Sequence, residues 1–392
     1  MSAPLHIAWL IWGDEPGGVA AAVLNNAAQL QALGQQISII SFGPGELVDA
    51  ARRRGYAVHL LGDSAELHPR YVGFGFSPSG VLRRLRMLLS LRRVLAQGLG
   101  SSAPPQALCI PWPDLMPLAG PVCQTLGVAL VLEMPNTPSR YPLQLNQRAY
   151  AWAVRRWRVQ VLANSGYTAA HMALVPGVAV VTPAVDAARF DPAQVLPIPR
   201  AALGIPESAV VLGLIARLDP SKGADLLIAA LAGLNQPDLH LLLVGGPLDS
   251  DYAQRLRAQV GDAGLAAQVH WVDTVSDPEH YWAACDLAIN ARRDAEPFGL
   301  SIVEAMLMQK PVIAHALGQP ASTIAEGETG WLYPQPEAPA LAAALRRALA
   351  ARATWPAMGR AARAEAQRRF ANAGLAPRYL GLLRDHAAGL RA

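Results

Sequence analysis

Residues 210–234 read VVLGLIARLDPSKGADLLIAALAGL. Val210 to Ile215 form a strand-length apolar run with no polar break, as suits a strand buried on both faces. A turn carrying Pro220 and Gly223 follows, and from Ala224 to Leu234 the apolar residues fall at helical spacing. The same strand, turn and helix recur on either side. Upstream, strands are expected at His6–Ile11, Gln36–Ser41, Ala57–Leu61, Ala107–Ile110, Ala129–Glu133 and Gln160–Ala163. Helical patterns lie between them at Gly18–Leu33, Gly80–Ala96 and Leu143–Arg156. Downstream, strands at His240–Val244, Val269–Val272, Leu287–Ile289 and Pro311–Ala314 alternate with helices at Tyr252–Gly261, Pro278–Ala284 and Ser301–Met308. Such alternation requires crossover connections, and so an α/β fold of parallel sheets with helices on both faces.

The rhythm fails once. Thr182–Pro206 contains Pro183, Pro192, Pro197, Pro199 and Pro206 without a clean period and reads as a linker, which makes two doubly wound units. After the second, an Ala/Arg-rich helical stretch (Pro339–Phe370) leads to a separate amphipathic pattern, Leu375–Leu390. Composition agrees: 392 residues with 52% apolar content fill two cores. A net charge of +4 is too thin for a nucleic-acid binder of this length, so no nucleic-acid partner is expected. Three cysteines without metal spacing fit a reducing compartment. Met1–Trp12 lacks the charged start of a signal peptide. The longest apolar stretch, Leu118–Leu132, falls short of the ~18 residues that a spanning helix needs.

In doubly wound sheets ligands sit beyond the carboxyl ends of the strands, so the strand-to-helix turns are the places to search. In Gly13-Asp14-Glu15-Pro16-Gly17-Gly18-Val19, paired glycines open a helix that offers free N–H groups to an anion. It is neither a GxGxxG fingerprint nor a P-loop, and an ordinary turn fits equally well. In the quoted stretch, Arg217 leaves the strand and Lys222, one of two lysines in the chain, stands at the mouth of the helix. Together they suit a diphosphate, although a solvated loop is the alternative. The third turn, Asp294-Ala-Glu296-Pro-Phe298-Gly299-Leu300-Ser301-Ile-Val-Glu304-Ala, places two carboxylates around one helix start. Carboxylates accept from sugar hydroxyls and the N–H groups hold phosphate. Ser301-x-x-Glu304 is also a capping box, which leaves Glu304 open between cap and ligand.

Together these residues resemble the nucleotide-sugar glycosyltransferases of family 4, retaining enzymes of the GT-B fold. The resemblance rests on Glu296-x7-Glu304, on Arg217 and Lys222, and on Ala184-Val185-Asp186-Ala-Ala-Arg189-Phe190-Asp191-Pro192. Val244-Gly245-Gly246, Ala284-Cys285-Asp286 and Gly327-Glu328-Thr329-Gly330-Trp331 follow in the family's order. It implies two Rossmann-like domains with a cleft between them. Residues 1–183 would be the acceptor side, with 375–392 packing back on it, and 184–374 would bind the nucleotide sugar. It further implies that Arg217 and Lys222 hold the donor diphosphate, that Phe298, Gly299 and Leu300 offer backbone groups, and that Glu296 grips the transferred sugar. Glu304 would take the ribose, Val272 would lie near the base, and Gly17 and Gly18 would face the cleft. The donor would be a UDP- or GDP-sugar, with no metal and no other cofactor. The acceptor would be a glycan, a lipid-linked sugar or a polysaccharide; a small soluble acceptor such as a sugar phosphate, or a catalytically silent glycan-binding subunit, are the alternatives. A dinucleotide oxidoreductase fits the sheet but lacks its fingerprint.

One departure stands out. Where many members carry a histidine near the reacting sugar, this chain reads Val131-Leu132-Glu133-Met134-Pro135-Asn136. Glu133 or Asn136 is the candidate replacement, and His315 reads as structural. The arginine-rich amphipathic segment 81–97, like the patch of Trp152 and Trp157 among arginines, fits either an anionic membrane surface or a core-packed helix with a solvated face. A cytoplasmic location, at most peripheral on the inner membrane face, is expected.

Overall fold

The computed structural model describes residues 3–14, 17–61, 78–101, 103–138, 142–371 and 373–390. The chain divides into two compact units, Met1–Ala184 with Ala373–Ala392, and Val185–Asn372.

The first unit runs β1 (His6–Ile11), α1 (Gly18–Ala32), β2 (Gln36–Ser41), α2 (Glu46–Arg53), β3 (Ala57–Leu60), α3 (Pro78–Ala96) and β4 (Ala107–Ile110). It continues with α4 (Met116–Leu126), β5 (Ala129–Met134), α5 (Leu145–Trp157), β6 (Gln160–Ala163), α6 (Gly166–Ala170) and β7 (Val178–Val180). The strands form one parallel sheet in the order β3-β2-β1-β4-β5-β6-β7.

The second unit runs β8 (Val210–Ile215), α7 (Ala224–Ala232), β9 (Leu239–Val244), α8 (Asp251–Asp262), β10 (Val269–Val272), α9 (Pro278–Ala284) and β11 (Leu287–Asn290). Then come α10 (Leu300–Leu307), β12 (Val312–His315), α11 (Pro320–Thr323), β13 (Gly330–Tyr333), α12 (Ala338–Ala350) and α13 (Trp355–Phe370). Its parallel sheet is ordered β10-β9-β8-β11-β12-β13. The last helix, α14 (Leu375–Gly389), belongs to the first unit, where Tyr379, Leu380 and Leu383 join the core formed by Ile7, Trp9 and Val131.

Both sheets are Rossmann-like, and each reverses strand order once, between β1 and β4 and between β8 and β11. Loops leaving the carboxyl ends of such neighbours diverge and leave a crevice. The turns carrying Lys222 and Glu296 follow β8 and β11, so the second unit's switch point unites them.

Two expectations change. The proline-rich stretch is irregular, because proline donates no ladder hydrogen bond, but it is packed and not a free linker. The Val185 N–H donates to the Phe370 carbonyl (2.9 Å), Phe190 is buried, and Arg363 donates to the Phe190 carbonyl (2.8 Å) and to Asp191 (3.0 Å). The helical stretch Pro339–Phe370 breaks into α12, a 3-10 turn at Arg352–Thr354, and α13. Pro356, in the first turn of α13, cannot continue a preceding helix, and the Trp355 indole N–H donates to the Ala348 carbonyl (2.9 Å). The apolar stretch Leu118–Leu132 takes in most of α4 and the start of β5, separated by Gly127 in the left-handed region (φ 67°).

Candidate active site

The turn after β8 is built locally. Asp219 accepts from the Ser221 N–H (2.9 Å) and hydroxyl (2.6 Å), and the Lys222 N–H donates to the Asp219 carbonyl (2.9 Å). Gly223 then lies against the turn after β11: at φ +70°, a Cβ there would strike the Ala291 carbonyl. The Arg293 N–H donates to the Ser221 carbonyl (2.9 Å), and the Arg293 guanidinium pairs with Asp225. Two loops about 70 residues apart are thereby stitched into one edge.

Glu296 is fixed from its other side. Its N–H donates to the Leu317 carbonyl (3.1 Å), and its carbonyl accepts from the Gln319 N–H (2.8 Å). This bridge requires Gly318, whose φ of +101° brings the backbone so close that a Cβ would collide with Glu296. The Glu296 side chain, 8% exposed as a residue, reaches three groups through Oε2. Asn290 Nδ2 lies 3.4 Å away, Arg292 Nη1 3.6 Å and Lys222 Nζ 3.9 Å. Burial pushes the Lys222 pKa down; Glu296 opposes this, while Arg292 and Arg217 add to it. Arg217 stands exposed at the rim, close enough to act on Lys222 and to help hold Asp219 ionised behind the dominant Ser221 hydrogen bond.

From Glu296 the chain turns into α10. Gly299 (φ 88°) is its N-cap, with no side-chain cap, so Ser301 is already helical and the capping-box reading of Glu304 does not hold. A helix start leaves its first N–H groups unpaired, and among the described residues those of Gly299, Leu300 and Ser301 have no hydrogen-bond partner. The Phe298 ring is buried edge-on against Phe370 (5.5 Å), which leaves only its backbone to offer a ligand.

Glu304 falls in a neighbouring cluster, away from the Lys222 group. Burial raises its pKa to about 7; the Trp282 indole and Arg189 oppose the rise and Glu279 adds to it. Trp282 Nε1 lies beside the carboxyl without closing a well-formed hydrogen bond. Arg189 is held by Glu279 through Nε (3.0 Å) and Nη2 (2.8 Å). Val272, at the end of β10, gives its carbonyl to the Gly245 N–H (3.0 Å).

The remaining candidates lie in the first unit. Gly17 (φ 70°) caps α1 and Gly18 begins it, both exposed; Glu15 and Pro16 of that turn fall outside the described residues. Glu133 does not present a free carboxyl. Alternation along β5 puts it on the same face as Ala129 and Val131, beneath α14, where Trp9 Nε1 (3.2 Å) and the Tyr379 hydroxyl donate to it. Burial raises its pKa. His315 is structural: it stacks on Tyr333 and its Nδ1 meets the Arg292 carbonyl (3.1 Å). Asn290 and Arg292 were not singled out from sequence; their only signal was position, at and just past the end of the strand that pairs with β8. Among the described residues no group of three or more His, Cys, Asp or Glu is placed to hold a metal ion.

Residues 197–365 match the family model of glycosyl transferases group 1. The chain is 33% identical over 165 residues to a D-inositol 3-phosphate glycosyltransferase of Stackebrandtia nassauensis, covering 40% of this chain and 37% of that protein. A protein of the same name from Kineococcus radiotolerans is 36% identical over 209 residues, 48% of each chain. The chain thus spans less than half the length of these relatives. Across both units the structure resembles Anabaena HepE solved with UDP and glucose, at a TM-score of 0.80 and 22% identity over 97% of this chain and 99% of that one. The likeness places the fold as GT-B.

Proposed function

We propose that this chain is a retaining glycosyltransferase of family 4 that moves a sugar from a UDP- or GDP-sugar to a glycan, lipid-linked or polysaccharide acceptor. The observation that carries the reading is the convergence of Lys222 and Arg217 with Glu296 and the open start of α10 at the second unit's switch point.

In this reading the donor diphosphate lies against Lys222, Arg217 and the N–H groups of Gly299, Leu300 and Ser301. Glu296, anchored through Oε2, has Oε1 directed to a hydroxyl of the transferred sugar, and Glu304 takes the ribose. As the bond from the anomeric carbon to the phosphate oxygen lengthens, charge grows on the diphosphate, where the two cations are already in place. The acceptor hydroxyl attacks from the face the phosphate leaves, and its proton passes to that phosphate, which retains the anomeric configuration. Arg217 and Lys222 supply the neutralising charge, so the reaction is metal-independent in this scheme. Glu133 has no part in it.

The polymeric or lipid-linked acceptor is supported by α3, whose exposed Val81, Leu82, Leu85 and Leu89 stand among Arg86, Arg92 and Arg93. This arrangement suits peripheral contact with the anionic inner face of a membrane. No helix among the described residues is long and apolar enough to cross one. A second reading, a small phosphorylated acceptor, is favoured by relatives named for inositol 3-phosphate. Purified protein incubated with UDP- and GDP-sugars, with product anomers read by NMR, tests the proposal. Donor turnover with retained configuration supports it; absence of both transfer and donor hydrolysis refutes it in favour of a silent binding subunit.

A further inference from the structure

We propose that Arg292 is a positioning residue that takes over the Glu296 carboxylate and so frees Lys222 for the donor diphosphate, an inference that rests on the nucleotide-sugar reading above. Three donors share one oxygen, Glu296 Oε2, while Oε1 has no partner among the described residues. The three are not equally mobile. The Arg292 guanidinium is forked onto Asp294 through Nε (2.6 Å) and Nη2 (3.1 Å), and its carbonyl meets His315 Nδ1. Its side chain, 15% exposed, is therefore locked. Lys222 carries its charge on a flexible four-carbon stem, and its contact with Glu296, at 3.9 Å, is the longest of the three.

A buried carboxylate stripped of its only cation is strongly disfavoured. Were Lys222 the sole partner of Glu296, its move to a phosphate would strand that carboxylate, and the carboxylate would hold it back. Arg292 and Asn290 remove the conflict. Glu296 stays paired when Lys222 leaves, and Oε1 keeps its orientation towards a sugar hydroxyl.

UDP, GDP and ADP carry the diphosphate without the sugar, so titration calorimetry with these three isolates the availability of Lys222. The wild type, Arg292→Met, Glu296→Gln and the double variant are compared. Arg292→Met should weaken the nucleotide that wild type binds by roughly tenfold or more. Adding Glu296→Gln should restore affinity to within about threefold, because nothing then retains Lys222. Arg292→Lys, which cannot fork onto Asp294, should fall between and keeps the test usable if the methionine variant does not fold. Wild-type affinity in Arg292→Met, or a loss that Glu296→Gln leaves unrepaired, overturns the inference alone. Failure of wild type to bind any of the three removes the nucleotide-sugar reading and this inference with it.

Discussion

Replacing Glu304 with glutamine should make the protein more stable at alkaline pH while weakening nucleotide binding. Its carboxyl titrates at about 7 in the folded chain against an ordinary 4.5, because burial beside Glu279 outweighs the help of Trp282 and Arg189. The folded state therefore holds its proton more tightly than the unfolded state does. The stability this contributes is complete below pH 4.5 and is lost as pH rises through about 7. A shift of that size corresponds to about 3 kcal/mol between the two limits. Glutamine keeps the shape and loses the titration. Urea melts at pH 5 and pH 8.5 should show the variant close to wild type at the lower pH. At the higher pH it should be more stable by about 2–3 kcal/mol, or some 5–10 °C for a unit of this size. The same variant should bind nucleoside diphosphates more weakly, since a residue kept at a cost in stability is one that function uses. A glutamine variant no more stable than wild type at pH 8.5 refutes the electrostatic argument, whatever its activity.

Other outcomes follow from the same geometry. Lys222→Ala should cut turnover about 100-fold or more with an unchanged circular dichroism spectrum, since one preorganised charge at a developing anion is worth several kcal/mol. Gly223→Ala, which forces a Cβ against the Ala291 carbonyl at positive φ, should lose about 2 kcal/mol or more in denaturant melts. Tyr379→Phe leaves the buried Glu133 one donor short and should cost about 1–3 kcal/mol, with no change in nucleotide affinity. His240 and His270 share a 2.9 Å contact, and burial lowers both of their pKa values. Unfolding exposes groups that protonate near 6.5, so stability should fall as pH drops below that value, and a His270→Gln variant should flatten the slope.

Much of the fold was legible because parallel strands buried on both faces are near-continuous apolar runs; β1, β4, β6 and β8 lie where the runs do. β7, with three half-buried residues, is too short to leave such a signal. The region of α4 holds Pro117, Gly120 and Pro121, all of which read as helix breakers, yet Pro117 falls in the first turn and Gly120 makes room for the Trp157 ring. The second compensation is not local. The candidate site divides in the same way. Lys222 and Glu296 stand out because a turn at a strand end declares itself within a few residues. Arg292 and Asn290 do not, since their meaning depends on β8 and β11 lying side by side. Glu133 illustrates the converse: period-two alternation fixes its face, but only the return of α14 determines that this face is covered.

Amide hydrogen exchange of the whole chain, with and without saturating UDP or GDP, asks most directly whether a nucleoside diphosphate is held at the edge shared by β8 and β11. Slowed exchange at 217–223 and 296–304 that vanishes in Lys222→Ala is the predicted result. Protection confined to other segments, or protection of these that persists in that variant, would contradict the account.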